Sequence, residues 1–230
     1  MKIINNFKSF FNQCNITWAI CGGIAIDLFI GKQTRLHKDL DISVFWEDRD
    51  IIIEYMLNNQ WTVFEPDNGK LREITSVSND YRTIDNIWCL SKHNKTYTIE
   101  HLNDNYYDIT CNTQNQDNFD FIEFLFNTKK DNQFLYKRNH NITLTLKDSL
   151  KTNKEGIPYL SPELVLLYKS TFINYLTSQD LDIIKMVDNY RHDFNVCKNH
   201  MTKKQLSWLM NALKVSYPDG HEWIDNLQLL

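Results

Sequence analysis

The chain has 230 residues, of which 42% are hydrophobic and 13% aromatic, and its formal net charge is −4. This composition predicts a packed core rather than a disordered chain, and the absence of a basic excess argues against bulk binding of nucleic acid. The chain has no apolar run of membrane-spanning length, no signal-peptide pattern and no CxxC pair among its five cysteines. We therefore expect a cytoplasmic protein with reduced thiols, no membrane partner and no zinc site.

Helices and short strands alternate in the first 154 residues. In chain order, the apolar patterns and their breakers predict a helix at 5–13, a strand at 17–21, a helix at 24–30, a strand at 39–46, a helix at 47–60 and a strand at 61–65. Further strands are predicted at 86–91, 96–102, 106–111, 119–126 and 133–138. This alternation is typical of an α/β or α+β domain.

The pattern becomes helical near residue 155. Ser161 and Pro162 are an N-cap and a first helical residue, a second helix is predicted over 180–191, and Thr202 with Gln205 forms a capping box that opens a third. We therefore predict two domains, residues 1–154 and residues 155–230.

Two motifs indicate chemistry on phosphate. Gly22 and Gly23 stand between the first strand and the following helix, where glycine lets backbone N–H groups approach phosphate and the helix terminus favours negative charge. Asp39 and Asp41 stand one residue apart in the second predicted strand, so they project from one face and repel each other unless a cation lies between them. A lone D-x-D is more often a solvated turn and a lone glycine pair a tight turn, but their combination favours a Mg²⁺ site.

A third acid on a neighbouring strand would complete such a site. The segment 119–126 offers Asp120 and Glu123, which lie three residues apart and hence on opposite faces of a strand, so only one of them can join. The basic approach to the D-x-D, which includes Arg35 and His37, can offset the charge of a phosphate.

The segment GGIAIDLFIGKQTRLHKDLDISVF resembles the signature of the aminoglycoside 2″-adenylyltransferase-like nucleotidyltransferases. These belong to the DNA polymerase β nucleotidyltransferase superfamily, which also contains lincosamide nucleotidyltransferases. The later segments GIPYLSPELVLLYKS and WLMNALKVSYPDGHEW are similar to landmarks of the same group. The resemblance implies a polymerase β-like mixed sheet with flanking helices, followed by a helical C-terminal half.

The resemblance also implies roles for individual residues. Catalysis and metal binding fall on Asp39, Asp41 and Glu123, and Glu123 is preferred to Asp120 because it matches the acid that precedes the family's paired basic residues. The implied nucleotide-binding residues are Gly22, Gly23, Arg35, His37 and Lys169. For Lys169, an ordinary solvated lysine on a helix is an equally good interpretation.

The implied reaction is Mg²⁺-dependent transfer of a nucleoside monophosphate, AMP, from an NTP such as ATP to a hydroxyl group of a small molecule. Two Mg²⁺ ions are expected, and aminoglycoside and lincosamide antibiotics are candidate acceptors. One alternative is an enzyme of a toxin–antitoxin or defence system that nucleotidylates protein or tRNA, although the lack of a basic run argues against tRNA. The other is a catalytically inactive nucleotide-binding module, against which the retention of three acids argues.

Overall fold

The structure is a computed structural model that describes residues 2–37, 39–78, 85–111, 119–171 and 181–228. It divides into two compact units, each built from two chain segments. Unit 1 comprises Met1–Ile20 and His37–Thr128, and unit 2 comprises Cys21–Leu36 and Lys129–Leu230. The domains expected from the sequence, 1–154 and 155–230, describe a different division and stay a prediction.

Unit 1 is built on a mixed β-sheet. Its strands are β1 (Trp18–Ile20), β2 (Asp41–Phe45), β3 (Trp61–Asp67), β4 (Lys70–Ile74), β5 (Asn86–Ser91), β6 (Tyr97–Asn103), β7 (Tyr106–Cys111) and β8 (Phe121–Lys130). Their order across the sheet is β1-β2-β8-β5-β3-β4-β7-β6. The β2–β8 pair is parallel, whereas the other neighbours in this order pair antiparallel.

Two helices cover one face of this sheet. They are α1 (Lys2–Phe11) and α3 (Arg49–Asn58), and a 3₁₀ turn, Trp46–Asp48, leads into α3. The rings of Phe7 and Phe11 in α1 are fully buried, and Phe11 contacts Tyr55 of α3 and Phe124 of β8 with centroid distances of 5.3 and 5.4 Å. Because successive strand residues alternate faces, Glu123 lies on the sheet face opposite Phe124.

A second apolar cluster lies among the central and edge strands of unit 1. It consists of Phe64, Leu71, Leu90 and Phe121, with Trp88, Tyr97, Tyr107 and Ile109 packed against it. Phe121 contacts Trp88 at 5.6 Å and Tyr97 at 5.2 Å between ring centroids. Phe121 and Glu123 are two residues apart in one strand, so this aromatic cluster borders the sheet face that carries Glu123.

Unit 2 is mainly helical. Its helices are α2 (Gly22–Ile30), α4 (Leu146–Ser149), α5 (Pro162–Ser170), α6 (Leu181–Lys198), α7 (Lys203–Ser216) and α8 (Glu222–Gln228), and its short strands are β9 (Gln133–Leu135), β10 (Thr143–Thr145), β11 (Leu150–Thr152) and β12 (Pro158–Leu160). The strands form two antiparallel pairs, β9 with β10 and β11 with β12. Helix α5 packs against α2, α6 and α7, so α5 is central to this unit.

The local signals of the helical half agree with the structure at two starts. Pro162 is the first residue of α5, preceded by Ser161. At α7 the capping box is present in both directions, because the Thr202 hydroxyl accepts from the Gln205 backbone and the Gln205 side chain accepts from the Thr202 backbone.

Two of the differences between the structure and the sequence prediction concern strands of unit 1. The predicted strand 39–46 begins only at Asp41 and ends at Phe45, so Asp39 precedes the strand. The segment between the third strand and residue 85 contains β4, which the sequence did not predict and which forms a hairpin with β3 through Asn68 and Gly69. Both of these turn residues have positive φ, which suits a tight hairpin. In the described ranges, no helix has the length and apolar character needed to cross a bilayer.

Candidate active site

Asp41 and Glu123 are direct neighbours across the parallel strand pair. Asp41 of β2 is in register with Glu123 of β8, and residues paired in this way project from the same face of a sheet. The pairing extends one residue before β2, because the Glu123 backbone N–H donates to the Leu40 carbonyl oxygen at 3.0 Å. The fold therefore places two of the three predicted acids side by side.

Two residues of the adjacent strand hold the Glu123 carboxylate. Trp88 of β5 is in register with Glu123, and Asn86 lies two residues before it on the same face. The Trp88 indole N–H donates to Glu123 Oε1 at 3.1 Å, and the Asn86 amide donates to the same oxygen. Both donors lower the pKa of Glu123, but burial outweighs them and raises it above its ordinary value, and the negative charge of Asp39 raises it further.

Asp39 is exposed and lies in a bend just before β2. Its charge is close enough to raise the pKa of Glu123 and also that of the Tyr97 hydroxyl, where burial is the largest cause. Strand alternation does not set its direction, because it is outside the strand. In unit 1, Glu123 thus lies beside Asp41 in the sheet and within the electrostatic influence of Asp39.

These acids do not form a ready-made metal cage. Throughout the part of the chain that the structure describes, no three or more His, Cys, Asp and Glu side chains form a group able to hold a metal ion. The donor chemistry nevertheless suits Mg²⁺, because carboxylate oxygens are its preferred protein ligands. Repulsion between neighbouring carboxylates and the raised pKa of Glu123 are conditions that a divalent cation would relieve.

Asp120, the alternative third acid, has structural partners. Its Oδ2 accepts from the Lys95 backbone N–H at 3.0 Å and from the Thr96 hydroxyl at 2.9 Å. Its backbone oxygen accepts from the Ser91 N–H at 2.9 Å. Asp120 therefore anchors the turn that leads from β5 into β6.

The glycine pair begins α2 in unit 2. Gly22 has φ of +63°, a left-handed conformation that costs a residue with a side chain about 1 kcal/mol or more. Gly23 is buried in the first turn of the helix. The predicted strand–glycine–helix turn is present, and the helix starts at Gly22 rather than at residue 24.

The loop after α2 is held by a short internal network. Gly31 ends the helix in a left-handed conformation. Asp27 Oδ1 then accepts from the backbone N–H and the hydroxyl of Thr34 at 2.9 and 2.6 Å. The Gln33 amide donates to the Arg35 carbonyl oxygen at 3.0 Å. These bonds restrain the loop that presents Arg35.

Arg35 and Lys169, both predicted to bind nucleotide, meet at one buried aspartate. Arg35 Nε and Nη2 donate to Asp193 Oδ1 and Oδ2 at 2.8 and 3.0 Å, and Lys169 Nζ lies 3.0 Å from Oδ2. The Asp193 side chain is fully buried. Burial alone would raise the pKa of its carboxyl, but the hydrogen bonds and charges of Arg35 and Lys169 bring it below its ordinary value.

His37 is 8% exposed, in unit 1, and its role in nucleotide binding stays a prediction. Sequence reasoning missed Asn86, Trp88 and Asp193. The i, i+2 spacing of Asn86 and Trp88 in a predicted strand was a usable signal for a shared face. Asp193 lies beyond the helix predicted over 180–191, which in the structure extends to Lys198.

A known protein family matches the N-terminal half of the chain. The family model for aminoglycoside-2″-adenylyltransferase matches residues 3–120, over half of the chain. No curated protein sequence matches.

Solved structures show the likeness of fold. The solution structure of the antibiotic-resistance factor ANT(2″)-Ia is 14% identical, covering 94% of this chain and 92% of its own, with a TM-score of 0.50. A crystal structure of ANT(2″)-Ia in complex with adenylyl-2″-tobramycin is 13% identical, covering 93% and 97%, with a TM-score of 0.51. The predicted mixed sheet with flanking helices and helical C-terminal half agrees with this likeness. By its family match, this chain belongs to the aminoglycoside-2″-adenylyltransferase family of nucleotidyltransferases.

Proposed function

We propose that this protein transfers AMP from ATP to a hydroxyl group of an aminoglycoside, with Mg²⁺ bound by Asp39, Asp41 and Glu123. The observation that carries the proposal is the register of Asp41 and Glu123 on the parallel pair β2–β8, with the charge of Asp39 acting on Glu123. Family membership supports the reaction class and the antibiotic acceptor. The net charge of −4 suits a cationic acceptor.

Glu123 is assigned as the third acid and the general base. Its Oε1 is oriented by Trp88 and Asn86, and its register with Asp41 holds the carboxylate beside a second acid, which suits both a metal ligand and a positioned base. Asp120 is left with the structural contacts of its turn.

The proposed reaction is a single displacement at the α-phosphorus of ATP. Glu123 removes the proton of the acceptor hydroxyl, whose oxygen forms a bond to the α-phosphorus of ATP. The bond between the α-phosphorus and the bridging oxygen breaks, and pyrophosphate leaves. Mg²⁺, expected as two ions, would offset the charge of the phosphate oxygens when bound.

The nucleotide-binding residues expected from the sequence would contact the phosphates. Gly22 and Gly23 provide backbone N–H groups at the start of α2, where the helix dipole favours an anion. Arg35 and Lys169 provide two cations held by Asp193. Through its ring nitrogens, His37 would add a further contact to the nucleotide.

Pyrophosphate release and product mass test this function. The wild-type protein is incubated with ATP, Mg²⁺ and a panel of aminoglycosides, with lincomycin as a second acceptor class. We expect pyrophosphate release that depends on the aminoglycoside, and a product heavier by one AMP. Asp41→Asn should lower the rate about a hundredfold or more, because a charged metal ligand is lost while the shape is kept.

Asp120→Asn is the matched control, since it removes an acid from the same strand region. It should retain most of the activity and lose only stability, about 1 kcal/mol. Full activity in Asp41→Asn would refute the metal assignment. Transfer of AMP to protein or RNA, with no antibiotic product, would show that the acceptor is a macromolecule rather than an aminoglycoside.

A further inference from the structure

Three side chains of unit 2 form a charged cluster, here called the Asp193 cluster and consisting of Arg35, Lys169 and Asp193. They come from the loop after α2, the last turn of α5 and the C-terminal half of α6. The Asp193 side chain is fully buried, and those of Arg35 and Lys169 are 18% and 9% exposed. The cluster therefore ties together three separate parts of the unit.

Helix α6 contacts the lysine at two points. Tyr190 and Asp193 lie three residues apart, on one face of the helix. Lys169 Nζ lies 3.0 Å from Asp193 Oδ2 and 4.3 Å from the centroid of the Tyr190 ring. Its ammonium group is thus fixed by an ion pair and a cation–π contact, whereas a solvated lysine would have neither.

Two cations of the cluster share one carboxylate. A buried aspartate needs a compensating cation, and the two hydrogen bonds from Arg35 already engage both carboxylate oxygens. Lys169 adds a second cation, which leaves the three side chains with a formal charge of +1. Two cations fixed close together on one carboxylate, in a partly buried place, are an arrangement that suits the binding of a multiply charged anion such as a phosphate.

We propose that Asp193 is a positioning residue, which holds Arg35 and Lys169 in the arrangement that binds the phosphate groups of the nucleotide. This inference rests on the proposed function, since it takes an NTP as the anion. Asp193 does not touch the nucleotide and acts through the two cations.

A positioning role for Asp193 and an effect of net charge alone predict opposite changes in nucleotide affinity when Asp193 is replaced. Replacing an acid beside two cations would strengthen the binding of a triphosphate if only net charge mattered. If Asp193 positions the cations, Asp193→Asn weakens binding, because each cation loses a charged partner and gains conformational freedom. Removal of contacts to charged groups of this kind predicts a rise in the nucleotide Kd of about tenfold or more.

Binding is measured with a non-hydrolysable ATP analogue, with and without Mg²⁺, and KM and kcat are measured in the transfer assay. We expect Asp193→Asn to raise Kd under both conditions, since the cations act on phosphate directly, and to raise KM for ATP more than it lowers kcat. The control is Asp188→Asn, which removes an exposed acid from the same helix and should leave Kd and KM unchanged.

A second pair of variants applies if Asp193→Asn does not fold. Lys169→Met keeps the Arg35–Asp193 pair, and Lys169→Met with Asp193→Asn removes that anchor while leaving one cation, rather than two, without the Asp193 carboxylate. The double variant should bind the analogue more weakly than Lys169→Met, although it carries one more positive charge. Equal or tighter binding in either comparison overturns the proposal.

The two proposals fail in different ways. If the wild-type protein transfers AMP and the Asp193 variants bind nucleotide as well as their references do, only the positioning role is wrong. If the wild-type protein binds no ATP analogue, the nucleotide assignment itself is wrong.

Discussion

Glu123 is a carboxylate in a place that disfavours its charge. Burial and the nearby charge of Asp39 both raise its pKa, and the hydrogen bonds from Asn86 and Trp88 compensate only in part. In the absence of a cation, the ionised side chain therefore costs stability at neutral pH. A destabilising charge held in fixed geometry is a common feature of catalytic sites.

Glu123→Gln should consequently increase stability while abolishing AMP transfer. The glutamine oxygen can still accept the hydrogen bonds of Asn86 and Trp88, and the buried charge is gone. We expect the Tm in metal-free buffer at neutral pH to rise by about 2 °C or more. Thermal unfolding and the pyrophosphate assay measure the two effects.

Asp120→Asn again provides the contrast, because this acid is engaged by Lys95 and Thr96. It should lower the Tm and keep activity. A Glu123→Gln variant that is less stable than the wild type would show that its charge is well compensated in the fold.

At the level of elements, α2 depends on the backbone of its first residue. Gly22 has φ of +63°, and Gly69 in the β3–β4 hairpin has φ of +78°. Space around Gly69 is open, so the two glycines share the requirement for a left-handed backbone. Only Gly22 lies in the turn that is proposed to approach phosphate.

Gly22→Ala and Gly69→Ala should therefore cost a similar amount of stability, about 1 kcal/mol each. Only Gly22→Ala should raise the KM for ATP, since it alters the backbone that would contact phosphate. Urea unfolding and transfer kinetics on the two variants check this. Equal kinetics in both variants would mean that the turn at Gly22 serves the fold alone.

For the whole molecule, the dependence of stability on pH involves His221. Its Nδ1 accepts from the Trp223 backbone N–H at 3.1 Å, so its Nε2 carries the proton and donates to the Ser170 carbonyl oxygen at 3.1 Å. Burial lowers the pKa of His221 below 6.5. The neutral form is the one that fits, because a proton on Nδ1 would face the Trp223 N–H.

Unfolding should become easier as the pH falls through the pKa of the unfolded histidine. The unfolded state then binds a proton that the folded state does not, so the free energy of unfolding falls between about pH 7.5 and about pH 5.5 by up to about 1.4 kcal/mol. His221→Gln removes this titration and should flatten the profile, at the cost of lower stability at neutral pH.

His200→Gln, at an exposed position, is the control and should leave the slope unchanged. Urea unfolding at several pH values measures both variants. A wild-type slope in His221→Gln would assign the pH dependence to other groups.

Much of this protein was predictable from local patterns, and the family match confirms the resemblance on which its reaction class was based. The strand–glycine–helix turn, the D-x-D, the start of α5 at Pro162 and the capping box of α7 are short-range features, because backbone preference and hydrogen bonding act within a few residues. The hairpin β3–β4 was missed since its strands are short and polar, and the start of β2 was misplaced by two residues, a usual error at element ends.

Tertiary structure alone decided which residues meet. Strand order places Glu123 beside Asp41 and Trp88, and no local pattern specifies that order. Asp193 pairs with Arg35 across 158 residues of sequence, so the sequence around either residue does not identify the other as its partner. The sequence by itself determined the kinds of chemical group and the family, whereas packing of distant segments decided how those groups are held, because long-range contacts depend on the whole fold.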